Sequence, residues 1–560
     1  MRRAVLVACL LGCSKGGESA RAARAALEAP EKPASIEVRQ AVDAAVAALV
    51  PTDTTARPEA REMRTLYAHE TDQLVWFNTT TPRPVLDSLL AALRDAGQHG
   101  LDPADYDAES LTAQRRALDS VQTPVAFATL DVGASRSALR FLRALGAGRV
   151  DPRSQDYRFD APRRARDYAA LVDSARAAGG FGGVIASVVP DYPEYRLLVT
   201  ALARYRGMAD TGSLPVVPAA GRSGKVTPGD STWPGLTALR HRLRTFGDLG
   251  GGTDSLGSYD SLTVAAVRRF QARHGLNADG ILGGGTIAAL NVGMAVRVRQ
   301  LELAMERLRW FPEMGDSRAV VVNLPFYELA AYEHAHAEPT FGMRVVIGQQ
   351  GEHATPIFAD SISYLVFRPY WQIPATLAAR ELVDTALVDS TYLAVNQYEI
   401  VPSHSDSATP LPPTPERLEA VRAGTLFLRQ RPGPLNSLGR VKFLFPNKDD
   451  IYLHDSPARS LFGRDRRAFS HGCVRVDEPA RLAAWLLDDQ PKWTPEKIQD
   501  AMMGDKPTTA GLKRKVPVVL WYVTATVDGD GTVRFADDPY GLDARLVKAL
   551  GEKREARSEK

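Results

Sequence analysis

Cysteine is scarce in this sequence, with three residues among 560, at Cys9, Cys13 and Cys473. The first two lie in an N-terminal segment typical of an export signal. A disulfide within the folded part is therefore excluded. A single thiol in an exported protein is either buried and inert or used as a nucleophile.

An excess of charge of either sign is also missing. Lys and Arg number 69 against 66 Asp and Glu, which gives a net charge of +3. So small an imbalance gives no electrostatic reason to expect a nucleic-acid partner. Because domains usually run to about 100–200 residues, the length predicts three or four folded units.

Long apolar runs are lacking at the N-terminus, where Ala4 to Gly12 is a short one behind Arg2 and Arg3. Nine residues cannot span a bilayer as a helix, which predicts an export signal over residues 1–13 and a tether over 14–58. The sequence Leu10-Leu11-Gly12-Cys13 resembles the lipobox of bacterial lipoproteins. It implies lipidation of Cys13 and a periplasmic protein that meets a membrane only through this lipid; a non-lipidated signal cleaved nearby is the alternative.

Residues 59–216 are predicted to form a helical domain. Apolar residues recur there at helical spacing in two runs. They are Val85, Leu86, Leu89, Leu90 and Leu93, then Leu139, Phe141, Leu142 and Leu145. Residues 217–230, rich in Pro, Gly and small residues, are predicted to be a linker.

Residues 231–292 are predicted to form a compact unit with Leu236, Leu239 and Leu243 on one helical face, and Leu262, Ala266 and Phe270 on another. The segments Phe270 to Leu276, Asp279-Gly280 and Thr286 to Asn291 resemble the three-helix peptidoglycan-binding domain. The resemblance implies glycan as a partner, although a spacer would keep the same apolar positions. His274 is expected to be a surface or capping residue.

A linker helix is predicted within residues 293–318, and strand texture begins at Ala319. The helix should be amphipathic, with Val298 and Leu301 on one side and Glu302 and Glu306 opposite. The predicted fold class is α+β multidomain: a helical N-terminal scaffold, a three-helix module and a mainly-β catalytic domain with a capping insertion.

Two short segments carry the chemistry, Ile451-Tyr452-Leu453-His454-Asp455 and Ser470-His471-Gly472-Cys473-Val474-Arg475. A cysteine attacks as thiolate and needs an imidazole within reach and donors for the oxyanion. We expect His454 to face Cys473 across a sheet, with its ring oriented by a backbone carbonyl near Asp455. A buried cysteine beside unrelated histidines is the alternative.

This pattern resembles the L,D-transpeptidase catalytic domain, and further segments are similar to the large periplasmic subgroup of that family. They are Pro369 to Pro374, Gln430 to Arg440, Phe443 to Asn447, Gly100 to Pro103 and Gly148 to Pro152. The resemblance implies a catalytic domain over 319–500 with a capping insertion at about 375–440. C-terminal strands in 501–560 would complete it, followed by a tail.

The resemblance also implies a reaction on peptidoglycan stem peptides. Cys473 would form a thioester with release of terminal D-alanine, and the amine of a second stem would take the acyl group to give a three-to-three cross-link. No cofactor or metal is implied, and carbapenem-type inhibitors are expected to acylate Cys473. Oxyanion or substrate roles are expected for Ser470, His471, Gly472, Arg475, Tyr370 and Trp371.

Other readings stay open. Water as acceptor would make the protein an L,D-carboxypeptidase or endopeptidase, and a free D-amino acid would make it an exchange enzyme. A non-catalytic wall-binding lipoprotein is an alternative from another class.

Overall fold

The structure is a computed structural model that describes residues 36–49, 58–68, 74–159, 166–210, 212–250, 257–335 and 337–558. The predicted signal, Cys13 and most of the tether lie outside these residues. The chain divides into two units: residues 1–97, 102–145 and 166–189 form the first, and residues 98–101, 146–165 and 190–560 form the second. In the described part, no helix is long and apolar enough to cross a bilayer.

The first unit is helical, as predicted. Its helices are α1 (Ile36–Leu49), α2 (Pro58–Ala68), α3 (Pro84–Arg94), α4 (Ala108–Ala117), α5 (Pro124–Ala147), α6 (Tyr168–Ala178) and α7 (Gly182–Val188). The strands β1 (Phe77–Asn78) and β2 (Thr81–Pro82) form a small hairpin. Every residue of the two predicted apolar runs is buried, because each run follows one face of α3 or α5.

The second unit contains a compact module built on three helices. Strand β3 (Tyr157–Arg158) and helix α8 (Pro193–Asp210) precede it. The module consists of β4 (Lys225–Val226), α9 (Leu236–Thr245), α10 (Ser261–Arg273), β5 (Leu282–Gly283) and α11 (Gly284–Asn291), with β4 and β5 paired.

Two predictions for the module are corrected. Val217 and Val226 are buried in its core, so the segment predicted to be a linker is partly module. Leu262 is 72% exposed, because the buried face of α10 runs through Thr263, Val267 and Phe270 and leaves Leu262 to one side. His274 is the C-terminal cap of α10, one of the two roles expected for it, and is buried with its ring centroid 3.8 Å from that of Phe270.

Helix α12 (Met294–Leu308) follows the module and is more buried than an amphipathic surface helix. Glu306 and Arg307 are fully buried, whereas the pattern placed Glu306 on the polar side. Glu306 pairs with Arg309 at 3.0 Å, and Arg307 pairs with Asp543 at 2.5 Å. These partners compensate the charges that burial removes from water.

The domain predicted to be catalytic contains a closed sheet. Its strands are β6 (Ala319–Asn323), β7 (Glu328–Tyr332), β8 (Phe341–Gly348), β9 (Ile357–Phe367), β13 (Val441–Leu444), β14 (Leu453–His454), β15 (Ala468–Ser470), β16 (Val474–Val476) and β17 (Thr508–Trp521). The three strands numbered between β9 and β13 belong to a separate small sheet. The order β13-β14-β16-β8-β7-β6-β17-β9 closes because β13 also pairs with β9. The α+β fold class with a mainly-β catalytic domain is confirmed.

The insertion, which we call the cap (residues 375–440), has a core of its own. Two cap strands, β11 (Tyr398–Val401) and β12 (Phe427–Gln430), form a sheet of order β10-β12-β11 with β10 (Trp371–Gln372), which lies just before the cap. Its helical segments are α13 (Ala375–Leu377), a π-helical turn (Ala378–Leu382), α14 (Val383–Val388), α15 (Tyr392–Val395) and α16 (Pro415–Arg422). Buried Val383, Ile400 and Leu428 pack together in this core.

Helices and a hairpin complete the chain. They are α17 (Pro479–Leu487), α18 (Pro495–Met503), β18 (Ala525–Val527), β19 (Val533–Phe535) and α19 (Leu542–Ser558). A turn at Asp528 to Gly531 joins β18 to β19. Strand β17 lies between β6 and β9, so C-terminal residues supply a central strand of the closed sheet.

Candidate active site

The loop that carries the cysteine is held by its own residues. Gly472 has φ of +119°, and a Cβ there would lie 3.2 Å from Ile451, so glycine is favoured twice over. The buried Ser470 hydroxyl donates to the Cys473 carbonyl at 2.5 Å and accepts the Gly472 amide at 3.2 Å. Ser470 therefore shapes the loop, and the Gly472 amide already has an acceptor.

A second set of hydrogen bonds ties this loop to β8. The Thr355 hydroxyl donates to the Gly472 carbonyl at 2.7 Å and accepts the Gly348 amide at 2.8 Å. The Tyr540 hydroxyl donates to the Gly348 carbonyl at 2.8 Å and accepts the Thr355 amide at 3.1 Å. The loop that carries Cys473 is thus fixed by residues far away in sequence.

Strand register brings the histidine and the cysteine onto one face. Strand β14 pairs with β16 in parallel, with Leu453 opposite Val474 and His454 opposite Arg475. Because side chains alternate along a strand, Tyr452 and His454 share a face with Cys473 and Arg475. The Tyr452 and His454 rings lie 5.8 Å apart on that face.

The orientation of His454 follows from its backbone neighbour. Its Nδ1 lies 2.5 Å from the Asp455 carbonyl oxygen, which can only accept, so Nδ1 carries the proton and Nε2 is left as the base. Burial lowers the pKa of His454 to about 3, and the charges of Arg475 and Lys442 act in the same direction. The imidazole is therefore neutral at rest.

The thiol is also neutral at rest. Cys473 is partly accessible at the surface, but protein atoms surround its sulfur, and this desolvation raises its pKa to about 11. The backbone amide and hydroxyl of Tyr452 and the charge of Arg475 lower that pKa, while Asp450 raises it. The thiol donates to the Asp450 carbonyl at 3.8 Å. Cys473 and His454 therefore rest as a neutral thiol and a neutral imidazole, and not as a preformed thiolate–imidazolium pair.

The Tyr452 hydroxyl lies beside the sulfur of Cys473. Burial raises the pKa of this hydroxyl well above its usual range, the nearby Cys473 raises it further, and hydrogen bonding from Trp371 lowers it. Sequence reasoning gave Tyr452 no role, although it lies two residues before His454 and so shares its face.

The other candidate residues lie in different surroundings. The Arg475 guanidinium is desolvated, which lowers its pKa, and its buried Nε has no hydrogen-bond partner among the described residues. Tyr370 packs under the Arg429 guanidinium, 4.3 Å from its ring centroid, inside the cap region. His471 turns its Nε2 to Glu381 Oε1 of the cap at 3.1 Å.

The Asp455 side chain supports the loop that ends the cap. Its carboxylate accepts the Arg440 amide at 2.8 Å and the Ser456 amide at 2.7 Å. A Cβ at Gly439 would meet this carboxylate at 2.4 Å, so the close approach requires glycine. Only the backbone of Asp455 was assigned a role from sequence.

Two supporting residues had no sequence signal. Thr355 and Glu381 lie about a hundred residues before the motif that they contact, in segments without a recognisable pattern. Glu381 also belongs to a group that could hold a cation, with His353 and His471. Cys473 and His454 belong to no such group within the described residues.

Comparison with known protein families finds a match for three segments of the chain. Three family models match, "Scaffold domain" over residues 61–202, "Putative peptidoglycan binding domain" over 234–290 and "L,D-transpeptidase catalytic domain" over 317–518. The resemblance expected from the sequence is confirmed, because the chain combines these three domains.

One curated relative and one solved structure are similar over part of the chain. A Haemophilus influenzae protein described as "Putative L,D-transpeptidase" is 31% identical over 248 residues, or 44% of this chain and 49% of the relative. The chain thus spans about half the length of that relative. The L,D-transpeptidase from Xylanimonas cellulosilytica is 19% identical, with 55% of this chain and 98% of that one covered and a TM-score of 0.17, too low to support an argument.

Proposed function

We propose that this protein, with an L,D-transpeptidase catalytic domain behind a scaffold and a peptidoglycan-binding-like domain, forms three-to-three cross-links in peptidoglycan. The observation that carries the proposal is the fixed tautomer of His454 on the same sheet face as the only cysteine of the catalytic domain. A neutral imidazole with a free Nε2 is the form that accepts a thiol proton.

The first half-reaction forms a thioester. As the sulfur of Cys473 attacks the carbonyl of the L-centre of the third stem residue, its proton passes to His454 Nε2. The Tyr452 hydroxyl and the Cys473 amide are the donors we assign to the oxyanion, since the Gly472 amide is bonded to Ser470. Collapse breaks the peptide bond, and His454 gives its proton to the departing D-alanine amine.

The second half-reaction regenerates the free enzyme. The side-chain amine of another stem attacks the thioester, forms the new amide and releases the sulfur, which regains a proton through His454. Lys442 and Arg475 place positive charge beside the pair, which favours each anionic stage. We assign Arg475, whose Nε lacks a partner, to the substrate carboxylate.

Substitution of the nucleophile tests the proposal. Cys473→Ala should abolish D-alanine release and dimer formation, measured by mass spectrometry of muropeptides, while the melting temperature stays near that of the wild type. Dimers formed at near the wild-type rate would contradict it. Tripeptide monomers in place of dimers would instead identify a carboxypeptidase, and exchanged D-amino acids an exchange enzyme.

A purely wall-binding lipoprotein is disfavoured because a binder has no need of a fixed imidazole beside a thiol. The domains imply a place in the cell envelope, and we propose export to the periplasm with lipidation of Cys13. Cys13→Ser should then release the protein from membranes or block its processing.

Carbapenems should add their mass to Cys473, which intact-protein mass spectrometry detects.

A further inference from the structure

Three side chains from separate segments meet beside the catalytic loop. His353 lies in the loop between β8 and β9, Glu381 in the π-helical turn of the cap, and His471 two residues before the nucleophile. Their nitrogen and oxygen atoms all lie within 4.8 Å of one another. The His353 and His471 rings are 4.6 Å apart at 70°, and His471 Nε2 lies 3.1 Å from Glu381 Oε1.

Two imidazoles and one carboxylate are a ligand set that Zn²⁺ prefers. In a tetrahedral zinc site with bonds near 2.0 Å, ligand atoms are separated by about 3.3 Å. The His471–Glu381 contact at 3.1 Å already has this spacing, and the other separations need only small side-chain rotations. All three residues are at least partly exposed, so an ion can reach them.

The local backbone fits a constructed site. Glu381 sits in a π-helical turn, a geometry that is frequent at functional sites. A second contact, Arg380 with Glu352 at 3.4 Å, holds the same turn against the same loop without joining the cluster. The neighbouring Glu352 therefore offers a matched control.

We propose that His353, Glu381 and His471 bind one Zn²⁺ ion, and that the ion fastens the cap to the catalytic loop. Because His471 and Cys473 share that loop, fastening restricts access to the thiol. Zinc is then a negative regulator of whatever reaction the thiol performs. The binding itself does not depend on the proposed function.

Direct binding is the first test. The full protein with Cys473→Ala, which removes thiolate as a rival ligand, is stripped with chelator and titrated with ZnCl₂ by calorimetry. We expect one site with a dissociation constant of about 10 μM or tighter. His353→Ala and Glu381→Gln should each weaken it more than about tenfold, and Glu352→Gln should leave it unchanged.

The second test measures whether zinc fastens the cap, using the accessibility of the Cys473 thiol as the signal. Zn²⁺ should slow iodoacetamide labelling of Cys473 in the otherwise native protein and in Glu352→Gln, but not in His353→Ala or Glu381→Gln. Absence of stoichiometric zinc binding, or equal binding by His353→Ala, overturns the site and leaves a simple ion pair. Binding without the change in labelling overturns the fastening. Neither outcome bears on cross-linking.

Discussion

The Nδ1 of His454 lies 2.5 Å from the backbone carbonyl oxygen of Asp455, the next residue along the chain. A backbone carbonyl cannot take a proton, so this contact keeps Nε2 free to act as a base without adding negative charge to the site. Burial keeps the ring neutral by lowering the pKa of His454 to about 3, although the Asp455 carbonyl acts in the opposite direction.

His454→Ala should lower the single-turnover acylation rate about 10²- to 10⁴-fold, the usual cost of losing a general base. His471→Ala should keep measurable activity, because its ring contacts Glu381 of the cap. Acylation of Cys473 by a soluble tetrapeptide, followed by intact mass, measures both. A larger loss in His471→Ala, with both variants folded, would reverse the assigned roles.

Tyr452→Phe should slow acylation by about tenfold or more, because it removes the hydroxyl that lies beside the sulfur and lowers the pKa of the thiol. It should also raise the pKa of the thiol further, since that hydroxyl lowers it. Tyr398→Phe, in the cap strand β11, is the matched control and should behave as the wild type. Unchanged acylation in Tyr452→Phe would remove the residue from the site.

The pH dependence of thiol labelling distinguishes a neutral pair from an ion pair. Burial raises the pKa of Cys473 to about 11, so the thiolate is disfavoured and its fraction should grow about tenfold per pH unit between pH 7 and 10. Because the pKa of His454 is lowered to about 3, no second inflection should appear near pH 6. Iodoacetamide rates measure this, with the urea-unfolded protein as reference; a flat profile above pH 6 would contradict it.

Thr355→Val should destabilise the protein by about 1–3 kcal/mol, because it leaves the Gly472 carbonyl and the Gly348 amide without their buried partner. Thr355→Ser keeps the hydroxyl and should lose much less. Thermal unfolding and acylation rate together measure the effect. A loss confined to Thr355→Ser, with Thr355→Val as stable as the wild type, would point to the methyl group rather than the hydrogen bonds.

The sequence predicted those features of the fold that are decided by neighbouring residues along the chain. The periodic leucines of α3 are buried because a single helix face decides their position, and His454 ends a short strand, as expected from the apolar residues before it. Glu306 and Arg307 were beyond reach, since burial of charge depends on partners such as Asp543 that are distant in sequence. The same holds for Glu381, which reaches His471 only because the cap folds over that loop.

The module and the catalytic domain share an interface, which changes how wall binding must be tested. His274 stacks on Phe535 of β19 at 5.9 Å, and the Arg273 guanidinium donates to the Val533 carbonyl at 3.2 Å. Deleting residues 231–292 would expose this hairpin to water. The deletion should therefore lower the melting temperature and the rate on soluble tetrapeptides, as well as binding to sacculi.

A cleaner experiment uses the module alone, because its core is formed by its own residues, from Val217 to Leu290. Residues 213–293 should fold and sediment with purified sacculi, and bovine albumin serves as the non-binding control. Replacing Trp233, which is buried in that core, by Ala should abolish both folding and sedimentation. If the folded module stays in the supernatant, its apolar positions serve only to hold the β18–β19 hairpin, and the module is a spacer.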